Sequence, residues 1–176
     1  MSIFIQENSI AQFNSCADTC VFESKPLLSY PLECCPNCIV TVDYVTGDCN
    51  GFCSIKINSV KLNGTGCPQI TANDLINEVA KYIISDWQIR TSCSDQGNDT
   101  LKVMNVYFAP CMKWVGILGT HEPTDAQLVP CESQGCCLSR YIAVKQIDGS
   151  WKVTLLWRQS NGICTDPSPD CFIICE

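Results

Sequence analysis

The chain has 176 residues, a net charge of −7 and only 16% charged residues, with 46% hydrophobic residues and sixteen cysteines. The acidic balance leaves no basic stripe to displace counterions, which argues against nucleic acid and anionic membrane surfaces as partners. No run approaches the ~18 apolar residues of a membrane span, and the length suits a single domain with a tail or arm.

Residues 1–13 carry no cysteine, and Ile3 and Ile5 alternate with Ser2, Phe4 and Gln6 in a strand-like pattern. This start has neither a basic region nor a long apolar core and is not read as a signal peptide; either a leader has been removed or export needs none. Cys16 and Cys20 lie in a connector, and Pro26, Pro31 and Pro36 then punctuate a stretch expected to be loop-rich. The division is therefore an arm and connector over 1–20 and one disulfide-stapled, β-rich domain over 21–176.

The domain opens with residues 39–46, where Val40, Val42 and Tyr44 share one face, followed by a turn region over 47–51. In the next strand, 54–62, Ile55 and Ile57 are in one phase and Val60 and Leu62 in the other. That slip near Asn58 and Ser59 predicts a bulge or bend. Residues 72–88 form the clearest helix. Thr71 caps it with Asp74 three residues on, Ile70 and Leu75 are placed as a hydrophobic staple, and Leu75, Ile76, Val79, Ala80, Ile83 and Trp87 make an apolar stripe.

Strands are expected over 101–108 and 112–118, broken by Pro110, with loops over 91–98 and 119–130. Residues 139–158 read as a hairpin around a two-residue Asp148-Gly149 turn, placing Val144 opposite Val153, Ile142 opposite Leu155 and Lys145 opposite Lys152. Trp151, Val153, Leu155 and Trp157 would then share one apolar face. The tail, 161–176, ends in a short strand at 172–174. The fold class is α+β, mainly antiparallel β with six or seven strands and one amphipathic helix, rich in disulfides.

All sixteen cysteines are candidates for disulfides: Cys16, Cys20, Cys34, Cys35, Cys38, Cys49, Cys53, Cys67, Cys93, Cys111, Cys131, Cys136, Cys137, Cys164, Cys171 and Cys175. Such density favours an extracellular or cell-surface destination. Cys34-Cys35 and Cys136-Cys137 are adjacent, and neighbours seldom bridge each other, so each pair is expected to fan out to separate partners. The alternative is a four-cysteine zinc site from Cys35, Cys38, Cys49 and Cys53. Cys35-Pro36-Asn37-Cys38 has thioredoxin-like spacing, but a redox motif needs a following helix, and residue 39 onward reads as strand. Disulfides need no cofactor, and none is expected.

His121 is the one histidine and reads as a solvated loop residue beside Glu122 and Asp125, so no base–nucleophile pair points to an enzyme. The tryptophans read as core. Asn63 and Asn98 begin glycosylation sequons, making a glycan a possible attachment.

An apolar arm ahead of a cysteine-bearing connector and a strand-rich body suits a homopolymer of copies of the chain. The arm adds to a neighbour's sheet edge, with Ile3, Phe4, Ile5 and Phe13 as interface residues and Cys16 or Cys20 locking the contact. The layout of 1–20 and the β-rich remainder resembles the cysteine-rich subunits of bacterial endospore appendages. That resemblance implies self-assembly into a filament on a bacterial surface, with cross-links between neighbours. A monomeric secreted binding module, an adhesin or lectin-like domain, is the competing expectation.

Overall fold

In the computed structural model, which describes residues 20–49, 51–86, 100–118 and 123–175, the alternating segment at 39–46 lies inside a longer strand, β3. To fix labels in chain order, β1 is Val21–Ser24, β2 is Leu28–Leu32, β3 is Cys35–Cys49 and β4 is Phe52–Gly64. β3 and β4 pair antiparallel from Cys38↔Gly64 to Cys49↔Phe52. Asp43 faces Ser59 and Tyr44 faces Ile57, so Asn58 is the extra residue of a bulge, as the phase slip predicts. Its effect on packing is direct: Ile55, Ile57, Val60 and Leu62 are all fully buried. Strict alternation through this segment would send one of the two pairs to the opposite face.

The sheet forks at the same place. Before the bulge, β4 pairs in parallel with β5 (Leu101–Phe108), from Cys53↔Met104 to Lys56↔Tyr107. After it, β4 pairs antiparallel with β7 (Thr124–Pro130), from Val60↔Leu128 to Gly64↔Thr124. One branch continues through β5 to β9 (Cys137–Lys145) and β10 (Trp151–Ser160). The other runs through β7 to β6 (Cys111–Ile117) and β12 (Phe172–Ile173). β1 and β2 pair with the far edge of β3, and β8 (Ser133–Gln134) and β11 (Ile163–Cys164) form a separate small pair.

The parallel β4–β5 pair needs a crossover, and α1 (Ala72–Ser85) lies within that connection. Thr71 caps it: its hydroxyl accepts from the Asp74 N–H at 3.1 Å and donates to the Asp74 carboxylate at 2.7 Å. Leu75, Ile76, Val79, Ala80 and Ile83 are fully buried, as the stripe predicts. The fold is α+β, with a mixed, mainly antiparallel sheet and one helix among the described residues.

Several local expectations are corrected. The proline-punctuated stretch contains β1 and β2; Pro31 is tolerated because, among the described residues, β2 pairs with β3 alone and its other edge needs no N–H. Gly47 belongs to β3, where a Cβ would run into the Val21 carbonyl of β1. β7 occupies part of the expected 119–130 loop, burying Ala126 and Leu128.

The β9–β10 hairpin turns through three residues. The Gly149 N–H donates to the Gln146 carbonyl at 3.0 Å, the Gln146 N–H to the Ser150 carbonyl at 2.8 Å, and Gly149 has φ +85°. This is a type I turn with a glycine bulge. The register moves by one residue: Val153 faces Ala143, Leu155 faces Tyr141, Lys152 faces Val144 and Lys145 faces Trp151. A second irregularity between Leu155 and Trp157 breaks the expected four-residue apolar face.

Residues 1–19, Trp87, Cys93, Asn98 and His121 lie outside the described residues, and with them the interface candidates Ile3, Phe4, Ile5 and Phe13 and the connector Cys16.

Candidate functional site

Every described cysteine except Cys34 and Cys35 is disulfide-bonded. Five bridges join described partners: Cys20–Cys49, Cys38–Cys67, Cys111–Cys164, Cys131–Cys171 and Cys137–Cys175. Their Cα separations run from 4.5 to 6.2 Å, within the ordinary range for the bond. Cys53 and Cys136 are bonded as well. Disulfides in this number are typical of extracellular or secreted proteins. Among the described residues no helix is long and apolar enough to cross a membrane.

Three sequence expectations change here. Cys20 bonds Cys49 of its own chain, which removes it as a link to a neighbouring copy. The zinc alternative does not assemble: Cys38 and Cys49 are spent in separate disulfides near opposite ends of β3. At about 3.3 Å per residue they lie roughly 36 Å apart along the strand. Cys131, Asp166 and Cys171 bring donor atoms within 4.8 Å of one another, but the two sulfurs are bonded to each other. Finally, the Cys34-Cys35 pair does not fan out. Both thiols are free, with their Sγ atoms 2.7 Å apart.

Glu33, the residue before the dithiol, lines a groove built by β2, α1 and β10. The groove has a volume of about 430 Å³ and is lined by Tyr30, Leu32, Glu78, Lys81, Tyr82 and Trp151, among others. A second cleft of about 360 Å³ shares Leu32, Glu33 and Glu78 and extends to Cys34, Pro68 and Ile70. Tyr30 of β2 stacks on Tyr82 of α1 with ring centroids 3.5 Å apart and planes 4° from parallel. The Tyr30 hydroxyl is buried and meets no hydrogen-bond partner among the described residues. Burial, then the neighbouring Tyr82 and Glu78, push its pKa well above the usual phenol value. Lys81 pairs with Glu78 at 2.9 Å on the exposed side of the helix.

Farther along α1, Arg158 reaches the helix from β10. Its Nε donates to Ser139 Oγ at 2.9 Å, and its two terminal nitrogens donate to Asn73 Oδ1 at 2.9 Å and Asn77 Oδ1 at 2.6 Å. The Tyr141 hydroxyl donates to the same Asn77 oxygen at 2.8 Å. The bulge after Leu155 makes this possible, turning Arg158 toward the helix and Trp157 away from it. Trp157 then lies beneath the Arg140 guanidinium, 5.0 Å from the ring centroid. Sequence reasoning missed Arg158, because the Leu155-Leu156-Trp157 run is apolar in either phase and hides the shift.

β10 is also an open edge. Among the described residues its strand partner is β9 alone, and Leu156 (50%) and Trp157 (37%) remain substantially exposed. Asn63, the described sequon asparagine, is exposed on β4 opposite Ile39 and Asp125.

No protein-family model matches the chain, and neither a curated protein nor a solved structure matches it.

Proposed function

We propose that the chain is an extracellular structural subunit, non-enzymatic, that self-assembles into a filament or surface layer through its strand-like N-terminal arm. The observation that carries this reading is the outer edge of β10 beyond Leu155, which pairs with no second strand among the described residues and is bordered by exposed Leu156 and Trp157. A free edge is what an added strand needs, since its unpaired backbone groups supply the affinity and alternate side chains the specificity. The disulfide framework supports it further: a body tied at many points persists outside the cell. The resemblance to endospore-appendage subunits stays a resemblance of layout, and placement on a bacterial surface belongs to this proposal.

The test is deletion of residues 2–13, read by electron microscopy and sedimentation. The full chain should assemble and the deleted chain should remain a folded monomer. A Leu156→Lys variant should also weaken assembly, because an edge lysine opposes strand addition. Normal filaments from the deleted chain overturn the arm. A strictly monomeric full chain moves the reading to a secreted adhesin or lectin-like binding module, which the groove beside Tyr30 and Tyr82 favours.

A further inference from the structure

Cys34 and Cys35 differ from all other described cysteines in being free. They sit at the tip of the β2–β3 hairpin, where Leu32 pairs with Cys35 and Glu33 and Cys34 form the turn. Cys34 is exposed, Cys35 is partly covered, and their sulfurs lie side by side at 2.7 Å. Cys34 also lines the 360 Å³ cleft, so a small molecule has a path to its sulfur.

We propose that Cys34 and Cys35 form a reversible two-electron redox site whose substrate is a small-molecule disulfide and whose oxidised form is a bond between the two neighbours. In the first step the Cys34 thiolate attacks one sulfur of the small disulfide. That S–S bond breaks, one thiolate leaves and takes up a proton, and a mixed disulfide forms on Cys34. In the second step Cys35 loses its proton and attacks the Cys34 sulfur. The second small thiolate leaves and is protonated. The pair has lost two electrons and two protons, and the small disulfide has become two thiols; excess thiol drives both steps backward.

The order follows from accessibility and charge. Cys34 faces solvent, whereas the hydrogen bond with Cys34, then burial, then the charge on Cys34, push the Cys35 thiol above its usual pKa. Cys35 therefore holds its proton and suits the resolving role. Adjacent Cα atoms lie about 3.8 Å apart, below the usual 4.4–6.8 Å for a disulfide, so the closed ring is strained. A strained, exposed bridge reduces before the structural ones. The site is thus labile in a molecule whose other described bridges are staples, and it does not depend on whether the chain assembles.

The experiment equilibrates the full chain in mixtures of reduced and oxidised glutathione. Samples are quenched in acid, alkylated with N-ethylmaleimide, and read by intact mass and peptide mapping. The expected result is alkylation at both Cys34 and Cys35 under reducing mixtures. Under oxidising ones that alkylation disappears and the monomer loses two hydrogens, with the other bridges unchanged throughout. A Cys35→Ser variant should stop at glutathione on Cys34. Two thiols that stay open across the whole range overturn the proposal. So does stable glutathione on Cys34 of the unaltered chain, or a bond from either residue to a second copy.

Discussion

Tyr141 and Tyr30 are both buried phenols, and they differ in what meets the hydroxyl. Tyr141 donates to Asn77, whose oxygen also accepts from Arg158. Tyr30 has no such acceptor among the described residues. A hydrogen bond contributes about 0.5–1.5 kcal/mol net, while a buried hydroxyl left unmatched costs about 1–3 kcal/mol. Tyr141→Phe should therefore destabilise by about 1 kcal/mol, whereas Tyr30→Phe should be neutral or stabilising, both read by chemical unfolding without reductant. A loss of more than ~2 kcal/mol at Tyr30 would show that its hydroxyl is matched after all. The same residues set an alkaline limit. Burial is the first cause raising the pKa of Tyr30, Tyr44 and Tyr141 in the folded state. A raised folded value means a stability contribution fully present below the unfolded phenol value, about pH 10. It is lost as pH climbs toward the folded values. Unfolding followed against pH should show stability falling from about pH 10 upward, and the double variant Tyr30→Phe with Tyr141→Phe should flatten that fall. Arg158 was hidden from sequence reading for a related reason. Nothing marks an arginine at the end of an apolar strand as inward-facing until the bulge before it is known.

At the scale of elements, the bulge at Asn58 was legible and the one near Leu156 was not, and the contrast is physical. Ile55 and Ile57 followed by Val60 and Leu62 show two clean phases that only an inserted residue reconciles. Around Leu156 every neighbour is apolar, so either phase fits and the shift leaves no trace. β7 escaped because its buried face is Thr124, Ala126 and Leu128, and a threonine and a small alanine beside one leucine leave too weak an apolar alternation to see. The parallel β4–β5 pairing was written in the strand–helix–strand order, but the prevalence of short connections pointed to antiparallel pairs instead. The hairpin register missed by one because Asp148-Gly149 suits two turn lengths, and Gly149 takes the last place of the longer one. The Asn58 bulge has a sharp consequence. Deleting Asn58 restores strict pairing with β3 and turns either Ile55 and Ile57 or Val60 and Leu62 out of the core. Fully burying such a side chain contributes about 1.5–3 kcal/mol, so the deletion should lose several kcal/mol or prevent folding. Asn58→Ala, which gives up only a 3.4 Å contact to Asp43, should cost less than ~1 kcal/mol. Equal losses in the two variants, measured by denaturant unfolding, would mean that the side chain rather than the extra backbone residue matters.

For the molecule as a whole, the bridges are unevenly shared. Cys164, Cys171 and Cys175 of the C-terminal segment each bond a different part of the body: Cys111 on β6, Cys131 just beyond β7 and Cys137 on β9. Beyond the bridges the segment is held mainly by backbone hydrogen bonds, among them the Thr165 and Asp166 N–H groups donating to the Glu132 carbonyl and the Ile174 N–H to the Pro110 carbonyl. Its strands β11 and β12 are two residues each, and its buried apolar side chain other than cysteine is Ile174. The body differs, because Ile55, Ile57, Leu62, Leu75, Ile83 and Leu128 are all fully buried in one apolar core. Bridges closing loops of 38, 40 and 53 residues should each contribute about 4 kcal/mol in the chain-entropy account. Reduction should therefore act in two stages. Among the structural bridges, a reductant stronger than glutathione should free the tail first, so that protease cuts within 161–175 while the β-sheet circular dichroism signal persists. Stronger reduction should then lower the thermal midpoint of the remaining body by well over ten degrees, since about 1 kcal/mol corresponds to roughly 2–4 °C at this size. If cleavage instead begins in β3 or β4, or sheet signal and tail protection vanish together, the bridges hold the core rather than the tail. The forked sheet would then owe its shape to its sulfur bonds and not to the apolar residues that line it.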